Sequence, residues 1–494
     1  MKKILALFFA KYIHWNNSKW INNPIKFQDK ILKKLIKKAK NTKFGKDHSF
    51  NTIINYSDYK SKVPINDYEK IRPYIEMTIK GQENILWPGK PIYFAKTSGT
   101  TSGSKFIPIT KESMPSHVKS SRDAILNYIN LTGNTSFIKG KHIFLQGSPI
   151  LKTINGIKIG RLSGIVAHYV PSYLRKNNMP SWETNCIDDW EKKIKKIVEE
   201  TINEKMTIIG GIPSWVQMYF EKIIEKSKKP VGKQFPELSL FIYGGVNFDP
   251  YKSLFNKLLG KKIDSLEFFP ASEGFIAYQD KVKNEGLLLL VNNGIFYEFI
   301  EANKFFSSNP ERISLKDVKM GVNYVVILST NAGLWSYNIG DTITFVSISP
   351  YRITVTGRIK HFISAFGEHV IGKEVETAIK NASSLMGAEI REFSVAPQVN
   401  PSHGLPYHEW FIDFKTPPSD FNLFSEKLDQ EMCAQNIYYD DLIKGKVLRK
   451  AVIKEVKKGE FLKYMKSVGK LGGQNKIPRL SNNRNLVEKL QVIN

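Results

Sequence analysis

The sequence predicts an α/β protein in two unequal parts: a large domain over residues 1–356, with mixed sheets, helices and a small β-barrel-like part, and a smaller α+β domain over 357–494. Three observations predict it. Between His142 and Pro270 short apolar runs alternate with helical patterns, as parallel strands alternate with crossover helices. From Gly286 to Thr356 the pattern becomes a series of closely spaced runs, LLLLV, IFYEFI, YVVILS, TITFVSI and YRITVTG, with a turn signal at Asn331-Ala332-Gly333; this is the pattern of antiparallel sheet or a small barrel. After GRIKHFISAFGEHV helices and strands mix again, so the boundary falls near Gly357.

In order along the chain, residues 1–85 read as mostly helical, with Ile31, Leu32, Leu35 and Ile36 as one buried stripe and with Ser57 and Asn66 as N-caps of short helices. A helix follows over about Lys111 to Leu131, then a strand at HIFLQG. From Asp188 to about Lys205, Trp190, Ile194, Ile197, Val198 and Ile202 share one helical face, and MTIIGG reads as a buried strand. The unit recurs as a helix over 213–227, a strand at LSLFIYGG, a helix over 250–260 and a strand at KIDSLEFF that runs into the turn PASEG. Turns at the carboxyl ends of parallel strands are where ligands bind, which singles out Gly244-Gly245 and Ser272-Glu273.

The 494 residues, 41% hydrophobic and 12% aromatic, can bury a sizeable core, which excludes disorder over most of the length. The net charge of +27 admits a nucleic acid, an anionic membrane or an acidic substrate as partner. Lysines are spread along the chain, without a zinc-finger, RNA-recognition or helix-turn-helix pattern, so no nucleic-acid partner is expected. Cys186 and Cys433 lie far apart without His or Cys neighbours at ligand spacing, against a disulfide framework or thiolate zinc site. The start, MKKILALFFAKYIHW, resembles a signal peptide. Its apolar run is broken by Lys11, lacks a small-residue cleavage pattern, and continues into Ile13 and Trp15 at the spacing of an amphipathic helix packed on the body. No apolar segment has the length of a membrane span, and a cytoplasmic location is expected.

Residues 96–106, KTSGTTSGSKF, read as a phosphate cradle between two strands, PIYFA and FIPIT. Gly99 and Gly103 allow close backbone approach to an anion, Ser98, Thr100 and Thr101 offer donors, and Lys105 adds positive charge. It is not a Walker A loop, because three residues separate the glycines and Phe106 follows the lysine. A flexible Ser/Thr/Gly linker is the alternative reading. Glu273 could hold Mg²⁺ through oxygen or be an ordinary surface carboxylate. Asp341, in SYNIGD, could accept hydrogen bonds from a ribose diol or bond its own backbone in a β-turn. Arg358 and Lys360 at the boundary could reach ribose or phosphate and serve as a pivot, and Lys476, between a Gly-Gly pair and a proline, could swing over a reactive phosphate; each could equally be a solvated charge. No GxSxG elbow, HExxH pattern or Ser/His/Asp set points to hydrolysis.

In their order, TSGTTSGSK at 97–105, FFPASEG at 268–274, YNIGD at 337–341 and GRIKHFI at 357–363 resemble the adenylate-forming superfamily. AKNTKFG, ILWPG, GGIPSW, YGGVNFDPY, SAFGEH and GKLGGQNKIPRL narrow this: the chain is similar to a bacterial member of the auxin-responsive Gretchen Hagen family of acyl acid amido synthetases, over nearly its whole length. The resemblance implies ATP- and Mg²⁺-dependent activation of a small carboxylic acid as its adenylate, then transfer of the acyl group to an amine, usually of an amino acid. It implies phosphate contacts from Ser98, Gly99, Thr100, Thr101 and Lys105, an adenine site at Gly244 and Gly245, and nucleotide and Mg²⁺ at Ser272 and Glu273. Asp341 and Arg358 would serve the ribose, Lys360 a hinge, and Lys476 the catalytic mobile loop. Two departures stand out: Asn338 replaces an arginine usual in the YNIGD position, and Pro270-Ala271 replace Ala-Ser. An acyl-CoA ligase of the same superfamily and a non-catalytic nucleotide- or polyanion-binding protein are the alternatives, and no motif marks the acyl or amine pocket.

Overall fold

The computed structural model describes residues 2–98, 104–170, 175–245, 248, 251–283, 285–359, 362–363, 368, 370–445, 447–471, 476–481 and 483–493. The first part is helical, with Lys2–Ile21, Pro24–Ala39, Tyr56–Lys62 and Tyr68–Ile79 as its main helices. In the second of these Leu32, Leu35 and Ile36 are buried and Ile31 packs beside them. Gln28 lies on the same face and donates from Nε2 to the carbonyls of Val291 (3.0 Å) and Ile295 (2.9 Å), tying the helix to the sheet. The caps differ from those expected. Asn55, not Ser57, caps Tyr56–Lys62 in a capping box with Asp58, and Asp67, not Asn66, caps Tyr68–Ile79. Several short oxygen-bearing side chains adjoin each start and all can accept the free N–H groups, so residue type alone does not choose among them.

One twelve-stranded sheet carries the body. From one edge, Asn178–Met179, Lys141–Phe144, Met206–Gly210, Leu240–Gly244 and Asp264–Ala271 run parallel. Gly274–Gln279 then turns back antiparallel, and Leu287–Leu289, Tyr351–Arg358, Tyr337–Ile348, Asn323–Thr330, Ile295–Glu301 and Ile313–Ser314 follow. The antiparallel region therefore resolves as a continuation of the parallel strands and not as a separate barrel. Alternate residues serve opposite faces: Ile208, Leu240 and Ile242 join one core, Ile209, Phe241 and Tyr243 the other. Covering both faces explains why these strands read as continuous apolar runs.

Beside the large sheet, Tyr93–Ser98 and Ser104–Ile109 pair antiparallel in a four-stranded sheet. A smaller α+β part follows, in which Glu389–Gln398, Tyr407–Thr416 and Val452–Glu455 form a sheet and Phe393, Trp410 and Ile412 pack with Phe424 and Leu428 of the helix Phe421–Gln435. The early helices are anchored by a buried charge cluster. Arg312 Nη1 lies 3.4 Å from Glu298 Oε1 and donates to Ser336 Oγ (2.8 Å), while Ser336 Oγ donates to Glu298 Oε2 (2.7 Å) and Arg312 Nη2 to the Val63 carbonyl (2.7 Å). Both charges are fully paired, as burial requires.

Candidate active site

The parallel and antiparallel halves of the sheet meet at the tight turn between Asp264–Ala271 and Gly274–Gln279, and Ser272 and Glu273 occupy it. The PASEG turn is thus the tip of a β-hairpin, whose second strand was not read from the sequence. Next to it, Gly244 ends Leu240–Gly244, and Gly245 has a left-handed φ of 84°. A Cβ on Gly244 would lie 2.3 Å from the Phe268 carbonyl oxygen, so only glycine lets these strand ends approach.

All of these residues line one cavity of about 2400 Å³, which Thr97 and Lys105 enter from the four-stranded sheet. Lys105, opposite Thr97 in the hairpin register, holds its Nζ 5.5 Å from the centre of the Tyr68 ring. Asp341 and Arg358 are register partners in adjacent strands, and Arg358 Nε donates to Asp341 Oδ1 at 2.9 Å. Arg358 Nη2 also donates to the Ile339 carbonyl, at 2.9 Å. Asp341 lies in the strand Tyr337–Ile348, paired across it, so the self-contained β-turn reading does not hold. The turn character before it survives in Gly340, with a φ of 85°, whose N–H donates to Asn338 Oδ1 at 2.8 Å.

The Glu273 carboxyl is raised above its ordinary value chiefly by burial and further by the charge of Asp341, against which Arg358 and Lys105 pull. Lys476 reaches in from the C-terminal part and donates from Nζ to the Gly245 carbonyl oxygen. It faces the open cavity, so solvent reaches it, yet the protein crowded around its ammonium lowers its pKa to about 8.

Glu273, Asp341, Arg358, Lys105, Lys476, Gly244, Gly245 and Ser272 are therefore brought to one cavity. Ser98 is the last described residue of its strand, with Ser104 as register partner. Gly99, Thr100, Thr101 and Lys360 lie outside the described residues. Sequence reasoning missed Tyr68, which walls the cavity and whose hydroxyl accepts from the Phe106 N–H at 3.0 Å. It also missed Arg479, which joins the two parts: it pairs with Glu392, lies 3.5 Å from Glu376, donates to the Phe393 carbonyl at 3.0 Å, and bonds Tyr251 of the large part. The signal was there, since Arg479 stands three residues after Lys476 in the same phrase and Tyr251 ends YGGVNFDPY. A further unread feature is His117, buried in the cavity wall, whose Nδ1 has no partner among the described residues and whose pKa burial lowers to about 4.

Three family models match in order: the GH3 family N-terminal domain over residues 17–188, the central domain over 288–358 and the C-terminal domain over 373–485. The chain belongs to the GH3 family. Among its GH3 relatives, indole-3-acetic acid-amido synthetase GH3.4 of Arabidopsis thaliana is 21% identical, over 92% of this chain and 89% of that protein. Jasmonoyl–L-amino acid synthetase JAR4 of Nicotiana attenuata is 21% identical over 64% of this chain and 66% of that protein. A solved GH3.15 acyl acid amido synthetase in complex with 2,4-DB superposes with a TM-score of 0.80 at 16% identity, covering 98% of this chain and 96% of that one. A 2-hydroxyisobutyryl-CoA ligase in the postadenylation state with 2-HIB-AMP shares the fold more distantly, with a TM-score of 0.60 at 11% identity over 93% and 89% of the two chains.

Proposed function

We propose that this GH3 protein is an ATP-dependent ligase that adenylates a carboxylic acid and transfers the acyl group to the amine of an amino acid. The observation that carries the reading is the convergence on one cavity of Glu273, the Asp341–Arg358 pair, Lys105, Gly244-Gly245 and Lys476, from six separate chain segments. They supply what acid activation needs. Lys105 and Lys476, with the 98–101 segment, neutralise the phosphates; Gly244 and Gly245 give the adenine a flat, close backbone surface; Asp341 accepts from the ribose hydroxyls and Arg358 holds it in place.

In the first step a carboxylate oxygen attacks the α-phosphorus, the bond to the bridging oxygen breaks, and pyrophosphate leaves. In the second the amine nitrogen attacks the acyl carbon, the bond to the AMP oxygen breaks, and the nitrogen loses a proton. The cavity continues past the nucleotide wall along Val118, Ile125 and Ile129 of the helix Met114–Thr132, an apolar face suited to the carbon body of the acid.

Mg²⁺ fits this wall. The Glu273 carboxyl, held above its ordinary value by burial and by the charge of Asp341, is relieved by a cation, and Mg²⁺ is held through one or two carboxylates plus substrate phosphates. Glu273 would hold the ion, which when bound supplies positive charge at the phosphates. The strand Tyr351–Arg358 belongs to the large sheet, so the nucleotide- and acyl-binding domain would run to 358, two residues past the 1–356 read from the sequence, with Lys360 at the hinge and the later residues as the mobile domain, which can present different faces in the two steps.

The test is exchange of labelled pyrophosphate into ATP across a panel of carboxylic acids. Exchange should require both an acid and Mg²⁺, and Glu273→Gln should lower it by about ten-fold or more, the equivalent of ~1.4 kcal/mol in the transition state. Absence of exchange with every acid, alongside salt-sensitive nucleic-acid binding, would instead support a polyanion-binding protein.

A further inference from the structure

The first helix, Lys2–Ile21, is apolar on two opposite faces. Ala10, Ile13, Asn17 and Trp20 recur at helical spacing and are buried, where the helix packs along Met114–Thr132. The outward face carries Ile4, Leu5, Phe8, Phe9, Tyr12 and Trp15, each between 42% and 68% exposed. A surface helix in water presents polar residues outward, and a contiguous exposed aromatic and aliphatic stripe marks an interaction surface. Its rings form a ladder, with centroids 6.5 Å apart for Phe9 and Tyr12 and 6.2 Å apart for Tyr12 and Trp15.

We propose that this face docks on an anionic phospholipid surface, with the helix lying in the plane of the interface. The charge around it selects that occupant. Residues 2–40 hold eleven lysines against one acidic residue, Asp29. Lys19 Nζ lies 3.9 Å from the Trp15 ring centre, at the end of the stripe. After the two-residue turn Asn22-Asn23, the helix Pro24–Ala39 exposes Lys26, Lys30, Lys33, Lys34, Lys37 and Lys38. Aromatic residues that enter the headgroup boundary, flanked by lysines that attract anionic lipid, are the two contributions an interfacial helix requires. A second copy of the chain would bring the same lysines together, in a molecule of net charge +27, and is disfavoured by repulsion. No described helix is long and apolar enough to cross a membrane, so the contact is with its surface.

The GH3 N-terminal match begins at residue 17, so the exposed stripe lies outside the matched domain. Ala6, on the inward face one turn before Ala10, lines the large cavity, so the helix stands between that cavity and the docking face. Lipid binding itself stands or falls independently of the adenylation reading.

The experiment is co-sedimentation of the full chain with phosphatidylglycerol–phosphatidylcholine vesicles and with pure phosphatidylcholine vesicles, for the wild type and the double variant Phe8→Ser/Trp15→Ser. Both side chains are exposed, and far-UV circular dichroism with thermal melting checks that the variant folds as the wild type does. The wild type should bind the anionic vesicles, less at high salt, and the variant should partition about ten-fold less or weaker. Equal binding of both proteins would assign the interaction to charge alone and overturn the proposal. So would failure of the wild type to bind, or a concentration-dependent dimer in sedimentation velocity that the double variant abolishes while lipid binding is absent.

Discussion

Arg358 Nε donates to Asp341 Oδ1 at 2.9 Å, and the two residues are direct partners in adjacent antiparallel strands of the large sheet. Sheet register, not a flexible loop, therefore aims the carboxylate at the cavity. If it binds the ribose hydroxyls, Asp341→Ala should raise the KM for ATP by about ten-fold or more, for the loss of at least one charge-assisted hydrogen bond at ~1.5–3 kcal/mol. Steady-state exchange kinetics over a range of ATP concentrations check it, and an unchanged KM would remove Asp341 from the nucleotide site.

Lys476 gives a pH dependence with a definite sign. Its pKa is lowered to about 8 by the protein crowded around it, so in the free enzyme the ammonium is present below that pH and lost above it. If the charge serves the phosphates, kcat/KM for ATP should fall as pH rises through about 8. Lys476→Arg, which stays charged, should shift that fall to higher pH, whereas Lys476→Ala should lower the rate by about ten-fold or more below pH 8. A profile that is the same in all three proteins would contradict the assignment.

The alternation of helices and strands from Lys141 to Gly244 was legible because each parallel strand is buried on both faces and so stands out as an apolar run between amphipathic helices. The second strand of the Glu273 hairpin was not. Gly274–Gln279 is wholly buried and follows directly after Ser272-Glu273, with no Asn-Gly or Asp-Gly signal to mark the return. The site was legible where one short phrase holds both a turn and a charge, as at Asp341 and Lys476. Tyr68 and His117 were not, because an aromatic or histidine on a helix has the same pattern whether it packs in a core or walls a cavity. Arg479 escaped for another reason: its partners Glu376, Glu392 and Tyr251 lie in three distant segments that only the fold brings together.

The buried pair beneath the early helices makes a prediction about stability. Arg312→Met leaves the Glu298 carboxyl buried without its guanidinium and should cost about 3–5 kcal/mol, read by urea denaturation. Burial already holds that carboxyl above its ordinary 4.5, and the variant raises it further. The folded variant then binds more protons than the unfolded chain, so its stability should fall as pH rises above about 4.5. Glu298→Gln in the same background should recover part of the loss and remove this pH dependence. A variant as stable as the wild type would show that the pair does not anchor the helices.

The most direct test of the ligase reading is mass spectrometry of the products formed from ATP, a carboxylic acid panel and an equimolar mixture of amino acids and coenzyme A. AMP, pyrophosphate and an acid–amino-acid amide should form with the wild type and be strongly reduced in Lys476→Ala. A thioester of coenzyme A without any amide would contradict that reading.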